Sequence, residues 1–347
     1  MSPELEKILV VGPAWVGDMV MSQSLYIFLK NTRPNVSIDV LAPAWSEPLI
    51  ARMPEVNQAI VKPIGHGELG LGRRHKLGKK LRAAAYDQAI LLPNSFKSAL
   101  APFAARIPRR TGWRGEMRYG LLNDLRILEE DRLPLMVQRF VALGLEPNAV
   151  LPEHLPPPRL VSDPVQAGLC GAKFQLDRSR PILALCPGAE FGAAKRWPVE
   201  YYAEIARRYL ARGWQVALYG SAKDKEVTAE IVAECNGHVD CRDLAGRTEL
   251  AEAVDLLSLS TAVVSNDSGL MHIAAALQRP VLVVYGATSP DFTPPLSPGA
   301  QILVSDIDCA PCFQRECPLG HHRCMRDTSP DQVAAKLDLL LAGSESS

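Results

Sequence analysis

A carboxylate follows the first hydrophobic run of the chain. Residues 8–12 lead into Gly12-Pro-Ala-Trp-Val-Gly17-Asp18, where two glycines allow a tight turn and Asp18 begins a helical stretch. A carboxylate at the carboxyl end of a strand can accept a proton from a substrate hydroxyl, so Asp18 is a candidate general base. Aspartate is also a favoured N-cap that stabilises a helix start by about 1 kcal/mol. On this motif alone, the cap is the simpler interpretation.

Two cations follow a glycine-containing turn in the second half of the chain. Residues 186–198 read Cys-Pro-Gly-Ala-Glu-Phe-Gly-Ala-Ala-Lys-Arg-Trp-Pro and include Gly188, Glu190 and Lys195. Backbone N–H groups, a helix start and a cation at one strand end favour a bound diphosphate. We therefore expect Lys195 or Arg196 to neutralise charge on a departing phosphate. The alternative is a pair of solvated cations on a loop.

Small polar residues recur at further strand ends. Residues 265–272 read Ser-Asn-Asp-Ser-Gly-Leu-Met-His, and residues 220–224 and 286–290 repeat the pattern. Several such loops from one sheet favour a shared site for a diphosphate or ribose. Asp267 or Ser268 could instead cap the following helix. His272, on an otherwise apolar helix face, is more often a packed histidine than a catalyst.

Basic residues are concentrated in the first half of the chain. Six Lys or Arg occur among residues 73–82, and six arginines follow between residues 106 and 126, interleaved with Trp113 and Tyr119. Such a run is usually a solvated helix face. No nucleic-acid-binding module is recognisable and the isoelectric point is about 7.0, so we expect no nucleic-acid partner. Anionic glycolipid head groups at the inner face of a membrane fit the same surface.

Four of the eight cysteines fall in one segment, residues 309–324. Cys309 and Cys312 have the Cys-x-x-Cys spacing of a metal knuckle, and Cys317 and Cys324, with His321 and His322 between them, could complete a tetrahedral site. Four protein ligands fill the coordination shell of zinc and leave no position for a substrate, so such a zinc site would be structural. Free thiols are the alternative that the sequence leaves open.

Length and composition indicate a two-domain globular protein. The chain has 347 residues, 47% hydrophobic and 22% charged, and it lacks an apolar stretch of the roughly 20 residues that span a membrane. The N-terminus has neither the basic region nor the cleavage site of a signal peptide, so a cytoplasmic protein is expected. The net charge of zero hides an asymmetry: residues 1–160 carry 21 basic and 15 acidic residues, whereas residues 161–347 carry 17 and 23.

Short apolar runs alternate with amphipathic stretches in both halves. Strands are predicted at residues 8–12, 37–41, 88–92, 182–186, 215–220, 262–265 and 280–286. Helices are predicted at residues 19–31, 72–85, 95–105, 199–212, 223–235, 250–259 and 269–277. This alternation is typical of parallel sheets covered by helices on both faces.

A proline-rich segment separates the two halves. Residues 146–164 contain six prolines and read as a stiff linker. We therefore predict two Rossmann-like domains, residues 1–160 and 161–347, facing a central cleft. The cysteine segment at 309–324 is an insertion in the second domain, and a C-terminal helix is expected at about residues 330–342. Neither G-x-G-x-x-G nor a P-loop motif occurs, which favours a nucleotide-sugar enzyme.

Five motifs, in order along most of the chain, resemble the ADP-heptose:lipopolysaccharide heptosyltransferases, glycosyltransferase family nine, and within it the heptosyltransferase II group. They are Gly-Pro-Ala-Trp-Val-Gly-Asp-Met at 12–19, Leu-Pro-Asn-Ser-Phe-Lys-Ser-Ala at 92–99, Arg-Thr-Gly-Trp-Arg-Gly-Glu-Met-Arg-Tyr-Gly-Leu-Leu-Asn-Asp at 110–124, Pro-Gly-Ala-Glu-Phe-Gly at 187–192 with Lys-Arg-Trp-Pro at 195–198, and Asn-Asp-Ser-Gly-Leu-Met-His at 266–272.

The resemblance implies a glycosyltransferase-B fold and an inverting enzyme that needs no metal for catalysis. It would transfer L-glycero-D-manno-heptose from ADP-heptose, bound by the second domain, to the first heptose of the Kdo-lipid A inner core, bound by the first. Asp18 would be the general base and Lys195 would contact the donor phosphates. The enzyme would act at the cytoplasmic face of the inner membrane as a peripheral protein. No catalytic role is implied for the cysteine segment.

The candidate binding residues, from the motifs and the resemblance together, fall into two sets. The donor set is Gly188, Glu190, Lys195, Ser221, Asp267, Ser268, Gly269 and His272. The acceptor set is Arg73, Arg74, Lys76, Lys79, Lys80, Asn94, Lys97, Arg114 and Arg118. Three alternatives remain open: a heptosyltransferase adding the first or a later heptose, a nucleotide-sugar epimerase, and a non-catalytic nucleotide-sugar or lipid-head-group binding protein.

Overall fold

The computed structural model describes residues 6–65 and 68–344. Contacts within the chain divide it into two compact units, Met1–Pro158 and Arg159–Ser347. Each unit contains one six-stranded sheet.

The first unit alternates strands and helices. In chain order its elements are β1 (Lys7–Val11), α1 (Val16–Thr32), β2 (Ser37–Ala42), α2 (Glu47–Ile50), β3 (Gln58–Val61), α3 (Leu71–Leu81), β4 (Gln88–Leu91), α4 (Phe96–Ala104), β5 (Arg109–Trp113), β6 (Asp124–Arg126) and α5 (Met136–Ala142). The apolar residues of β1, from Ile8 to Val11, are at most 1% exposed. A central strand that is apolar on both faces needs helices on both sides of its sheet, which this alternation supplies.

The first sheet is entirely parallel, in the order β3-β2-β1-β4-β5-β6. This is the order of a Rossmann sheet, in which ligands bind where the winding reverses, beyond the carboxyl ends of the strands. That switch point lies between β1 and β4, whose last residues, Val11 and Leu91, pair with each other. The loops after these two strands therefore form the candidate ligand edge of the unit.

The second unit repeats the alternation. Its elements are α6 (Pro164–Lys173), β7 (Ile182–Cys186), α7 (Val199–Ala211), β8 (Gln215–Leu218), α8 (Lys225–Glu234), β9 (Cys241–Asp243), α9 (Leu250–Ser258), β10 (Ala262–Asn266), α10 (Gly269–Ala276), β11 (Val281–Tyr285), β12 (Ala300–Val304), α11 (Arg323–Arg326) and α12 (Pro330–Ser344). Its sheet is parallel in the order β12-β11-β10-β7-β8-β9. The switch point therefore lies between β7 and β10.

Trp197 fixes the loop after β7 to the core of the second unit. Its side chain is 1% exposed and packs edge-to-face on Tyr202, with ring centroids 4.9 Å apart. The indole Nε1 donates a hydrogen bond of 2.8 Å to the carbonyl of Thr328. Because the tryptophan follows Lys195 and Arg196 by one or two residues, its burial limits where those cations can lie.

The predicted α/β architecture with two parallel Rossmann-like sheets is confirmed. All seven predicted strands and all eight predicted helices, including the C-terminal one, are present, with ends that differ by a few residues. Sequence analysis missed the sheet-edge strands β3, β6, β9 and β12, the inner strand β5, and the helices α2, α5, α6 and α11. Strands β6 and β9 have three residues each, too few for a period to be visible. The expected linker ends at Asp163, which caps α6 by accepting a hydrogen bond from the Val165 N–H at 2.8 Å.

Among the helices of the described residues, none combines the length and the apolar composition needed to cross a membrane.

Candidate functional site

Asp18 lies in the first turn of α1, beside the switch point of the first sheet. The helix begins at Val16 and its N-cap residue is Trp15, so Asp18 is the third helical residue and the capping interpretation is wrong. Its side chain is partly exposed. A negative charge in the first turn is stabilised by the helix dipole. The fold therefore places Asp18 where a carboxylate at a strand end could serve as a general base.

The turn that leads to Asp18 begins at a glycine that lies close to the core. A Cβ atom on Gly12 would lie 2.9 Å from Met19 Cε and 3.2 Å from Val40 Cγ1. A side chain at this position would therefore displace the end of Met19.

Arg118 braces the loop after β4. It is 1% exposed, and its guanidinium donates hydrogen bonds to the carbonyl of Pro93 at 2.7 Å and to Asn94 Oδ1 at 3.3 Å, and another to the carbonyl of Trp113. A buried guanidinium held by backbone carbonyls is not available to a substrate. This corrects the placement of Arg118 among the acceptor-binding side chains.

Two predicted acceptor residues remain accessible at this edge. Asn94 is exposed on the loop, and Lys97 is partly exposed in the first turn of α4. Glu116 secures the start of the helix, because its Oε2 accepts a 2.7 Å hydrogen bond from the N–H of Phe96. Arg114 is exposed on the segment that follows β5.

Three cations approach one another near this edge. Burial, together with the charges of Arg74 and Lys97, lowers the pKa of Lys62 to about 8. Arg74 itself is buried and donates to the carbonyls of Leu69 at 2.7 Å and Glu68 at 3.1 Å. Arg74 therefore supports the backbone just before α3. This corrects the predicted direct contact between Arg74 and the acceptor. Lys62 was missed because a lone lysine after a half-exposed strand gives no sequence signal.

The remaining basic residues of α3 form an exposed face beside an apolar groove. Arg73, Lys76, Lys79 and Lys80 are all exposed. The groove, of about 550 Å³, lies between α3 and α4 and is lined by Leu71, His75, Arg82, Leu100, Phe103, Ala104, Arg106 and Arg110. We call it the α3–α4 groove.

Lys195 and Asp267 form an ion pair at the switch point of the second sheet. Lys195 Nζ lies 2.6 Å from Asp267 Oδ2, and the two side chains are 14% and 6% exposed. The same carboxylate oxygen accepts a 2.7 Å hydrogen bond from Thr288 Oγ1, on the loop after β11. Two predicted donor residues are thus brought into contact. Asp267 is turned toward Lys195, so it orients the lysine and does not present a free carboxylate to a diphosphate.

The N-terminus of α10 lies beside this ion pair. Ser268 caps the helix by accepting a 3.4 Å hydrogen bond from the N–H of Met271. Within the described part of the chain, the N–H groups of Gly269 and Leu270 have no hydrogen-bond partner. Free N–H groups at a helix start favour an anion, which supports the predicted placement of Ser268 and Gly269 at a donor phosphate.

His272 is a packed, neutral side chain. It is 5% exposed in α10, and burial lowers its pKa to about 4, against the opposing charge of Asp267 and with that of Lys195. A histidine that is neutral at pH 7 supplies no cation for a phosphate. The structure therefore supports the packed interpretation, and the role of His272 in donor binding stays a prediction.

Asn266 joins three segments of the candidate donor-binding edge, which is formed by the loops after β7, β8, β10 and β11 and which we call the donor edge. It was not predicted as a site residue. Its Oδ1 accepts hydrogen bonds of 3.0 Å from both the Trp197 N–H and the Tyr202 hydroxyl. Its Nδ2 donates a 2.7 Å hydrogen bond to the carbonyl of Pro187. This fully buried amide therefore fixes the loop after β7 against the end of β10. Its place within the Asn-Asp-Ser-Gly motif was the available signal.

Gly188 and Ser221 meet at Asp224. A Cβ on Gly188 would lie 2.6 Å from the Asp224 carboxyl carbon, so glycine allows the loops after β7 and β8 to touch. Ser221 donates from its N–H and from its hydroxyl to Asp224 Oδ2, both at 2.8 Å. Glu190, in turn, forms an exposed ion pair with Lys223. These residues shape the rim of the donor edge.

The four clustered cysteines line one small cavity in the second unit. The cavity measures about 20 Å³ and its walls include Cys309, Cys312, Cys317 and Cys324. The backbone N–H groups of residues 319–322, that of His322 first, lower the pKa of Cys317 below its usual value. In the described ranges, no group of three or more His, Cys, Asp or Glu side chains is arranged as a ready metal site. The zinc site stays a prediction.

Two Rossmann-like units, one with a first-turn carboxylate and the other with a lysine beside a helix N-terminus, are the arrangement that the resemblance to two-domain, Rossmann-based glycosyltransferases implies. The model for "Glycosyltransferase family 9 (heptosyltransferase)" matches residues 74–323. The chain belongs to this family.

Individual relatives are similar over nearly the whole chain. Lipopolysaccharide heptosyltransferase 2 of Salmonella typhimurium is 51% identical over 97% of this chain and 99% of its own. Lipooligosaccharide heptosyltransferase 2 of Haemophilus influenzae is 50% identical over 96% and 99%. The solved structure of E. coli ADP-heptose LPS heptosyltransferase II is similar with a TM-score of 0.88 and 48% identity, covering 98% of this chain and 99% of that one. The predicted family and glycosyltransferase-B fold class are thereby confirmed.

Proposed function

We propose that this heptosyltransferase transfers L-glycero-D-manno-heptose from ADP-heptose to the first heptose of the lipopolysaccharide inner core. The supporting observation is that about half of the residues are identical to those of heptosyltransferases 2 over nearly the full length of those proteins. The two candidate edges have the complementary chemistry that the reaction needs. The first carries an ionisable base with cations around it, and the second carries a cation beside free backbone N–H groups.

In the proposed reaction, Asp18 accepts the proton of the acceptor hydroxyl. The hydroxyl oxygen then bonds to the anomeric carbon of the donor while the bond from that carbon to the β-phosphate oxygen breaks. ADP leaves with the electron pair, and the anomeric configuration is inverted. Lys195 and the N-terminus of α10 stabilise the charge that develops on the diphosphate. These groups need no catalytic metal ion to do so.

An acceptor series tests the proposed specificity. Purified protein is supplied with ADP-heptose and Kdo-lipid A acceptors that carry no, one or two heptoses, and ADP release is measured. We expect turnover with the one-heptose acceptor alone. Turnover with one of the other two acceptors would reassign the position of transfer. Consumption of ADP-heptose without acceptor would indicate an epimerase or hydrolase, and binding without ADP release would indicate a non-catalytic protein.

The Asp18→Asn variant tests the base. It keeps the size and most of the polarity of the side chain but cannot accept the proton, so we expect a fall in kcat of roughly 100- to 10,000-fold. ADP affinity, measured by calorimetry, should stay within about twofold of the unchanged protein. Unchanged turnover would remove Asp18 from the mechanism.

We further propose that the protein docks peripherally on an anionic membrane through the α3–α4 groove. No acidic residue occurs between Leu69 and Tyr86 or between Phe96 and Arg110, so both walls of the groove carry only positive charge. Leu71 and Phe103 are 55% and 48% exposed. Exposed apolar side chains among clustered cations suit an anionic bilayer, to which each cation near the surface contributes about 1 kcal/mol.

Vesicle sedimentation tests this docking surface. We expect binding to vesicles containing phosphatidylglycerol, weaker binding as salt rises, and no binding to neutral phosphatidylcholine vesicles. The Phe103→Ser, Arg106→Glu double variant should lose at least about tenfold in partitioning, because it removes an apolar contact and reverses a charge. Arg247→Glu, a charge reversal in the second unit, serves as the control. Equal binding by the double variant and the control would refute the assignment.

A further inference from the structure

The cysteine segment forms a cavity of the size and chemistry of a metal site. Four thiols from Cys309, Cys312, Cys317 and Cys324 share its walls, although they are separated by up to 15 positions in the sequence. Its volume of about 20 Å³ holds a single small ion or water. Soft thiolate ligands in a set of four favour zinc or iron over magnesium or calcium.

The chain turns tightly between Cys317 and Cys324. The N–H of Gly320 donates a 3.1 Å hydrogen bond to the carbonyl of Cys317, and φ is positive, 68° at Gly320 and 50° at His322. This turn brings the thiols of Cys317 and Cys324 to the same cavity.

The same segment packs directly against the loop that carries Lys195. The carbonyl of Arg315 accepts a 3.0 Å hydrogen bond from the N–H of Ala194, and Arg315 Nη1 donates to the carbonyl of Phe191 at 3.1 Å. A Cβ on Gly192 would lie 2.2 Å from the carbonyl oxygen of Arg315. The Ala194 side chain also lines the cysteine cavity. Two hydrogen bonds and a close backbone approach therefore join the loop to the segment.

A second contact joins the segment to the neighbouring donor loop. The N–H of Phe313 donates a 2.7 Å hydrogen bond to the carbonyl of Ala287, which also lines the cavity. A Cβ on Gly286 would lie 2.4 Å from Met325 Sδ and 3.0 Å from Cys324 Sγ. Since Thr288 on this loop bonds to Asp267, the cysteine segment supports both sides of the Lys195–Asp267 pair.

We propose that Cys309, Cys312, Cys317 and Cys324 bind one zinc ion as thiolates, and that this ion fixes the loop of Lys195 for donor binding. Zinc takes four thiolates at about 2.3 Å in a tetrahedron. In the described chain the side chains are not yet arranged in this way, so binding must draw the thiols toward the centre of the cavity. Each thiol that binds releases its proton to solvent. The positioning role, but not the zinc site itself, rests on the proposed function.

Metal analysis of the full-length protein, purified without added metal or chelator, tests the site. We expect about one zinc per chain in the unchanged protein and less than about 0.1 in the Cys309→Ser, Cys312→Ser double variant. Cys170→Ser, which alters a buried cysteine in α6, is the matched control and should keep its zinc. One iron per chain, with its visible absorbance, would overturn the zinc assignment. No metal, whether with four titratable thiols or with disulfides, would overturn the site.

Donor affinity tests the positioning role independently. We expect the double variant to raise the KM for ADP-heptose by about tenfold, with the acceptor KM and kcat within about twofold. Calorimetry with ADP alone should show the same tenfold loss, and this readout requires no turnover. A lower melting temperature with unchanged ADP affinity would show that the ion only stabilises the fold, and would overturn its role in positioning Lys195. Failure of the acceptor series would leave the zinc result unaffected.

Discussion

The Lys195–Asp267 pair places a cation at the donor edge without leaving its charge uncompensated. A lysine that is 14% exposed would lose hydration, and the adjacent carboxylate compensates for that loss. The pair also fixes the direction of the ammonium group. In the proposed reaction, a substrate diphosphate meets an ammonium group that is already oriented, so it does not have to order a flexible side chain.

We expect Lys195→Ala to weaken donor use selectively. The KM for ADP-heptose should rise roughly 10- to 100-fold, because the variant removes the cation that we propose contacts the diphosphate. Steady-state kinetics with each substrate varied in turn measures the effect. Lys173→Ala is the control, because Lys173 also forms an ion pair, with Glu252, but on the α6–α9 face. A rise confined to the acceptor KM would contradict the assignment of Lys195.

His272 makes the second unit sensitive to acid. The folded protein keeps this imidazole neutral down to about pH 4, whereas the unfolded chain takes up the proton near pH 6.5. The contribution of His272 to the free energy of unfolding is therefore fully present above about pH 6.5. It falls as the pH drops toward 4, by at most about 3 kcal/mol. Urea unfolding at pH 7 and pH 5 measures the change. His272→Gln should show the shallower dependence, and parallel slopes would refute the argument.

At the level of elements, the donor edge depends on loops that touch at glycine. We expect Gly188→Ala to lower the free energy of unfolding by about 1–3 kcal/mol, because the new methyl group overlaps the Asp224 carboxylate. Chemical denaturation measures the loss. Gly72→Ala is the control, since a Cβ there meets no atom within 4 Å. Equal stability of the two variants would show that the two loops separate at no cost.

The strands and helices with a strong hydrophobic period could be predicted from the sequence. The sheet-edge strands and the inner strand β5 could not. Strand β5 begins with two arginines and β3 is half exposed, so neither has the alternation of a buried strand. At the site, Asp18, Lys195 and Asp267 could be identified because they follow central strands. The buried roles of Arg74 and Arg118 could not, because a basic run does not reveal which of its guanidinium groups meet backbone carbonyls. Asn266 and Lys62 depend on contacts across distant loops.

For the whole molecule, the proposed function assigns the nucleotide to the second unit. We expect ADP to slow hydrogen exchange only in the second unit, at residues 187–198, 219–224, 267–271 and 286–290. These are the strand-end loops of one sheet, and a nucleotide at its switch point contacts them together. Mass spectrometry of the exchanged protein, with and without ADP, measures the pattern. Protection in the loops after β1 or β4 would place the nucleotide on the other unit.

Both sheets have the same strand order, with the first strand of each unit at the switch point. Asp18 and Lys195 each follow the first strand of their sheet, so they occupy equivalent places in the two halves. A sheet whose winding reverses beside its first strand offers one ligand edge at that point. A chain with two such sheets therefore offers two separate edges, one for each substrate of the proposed transfer.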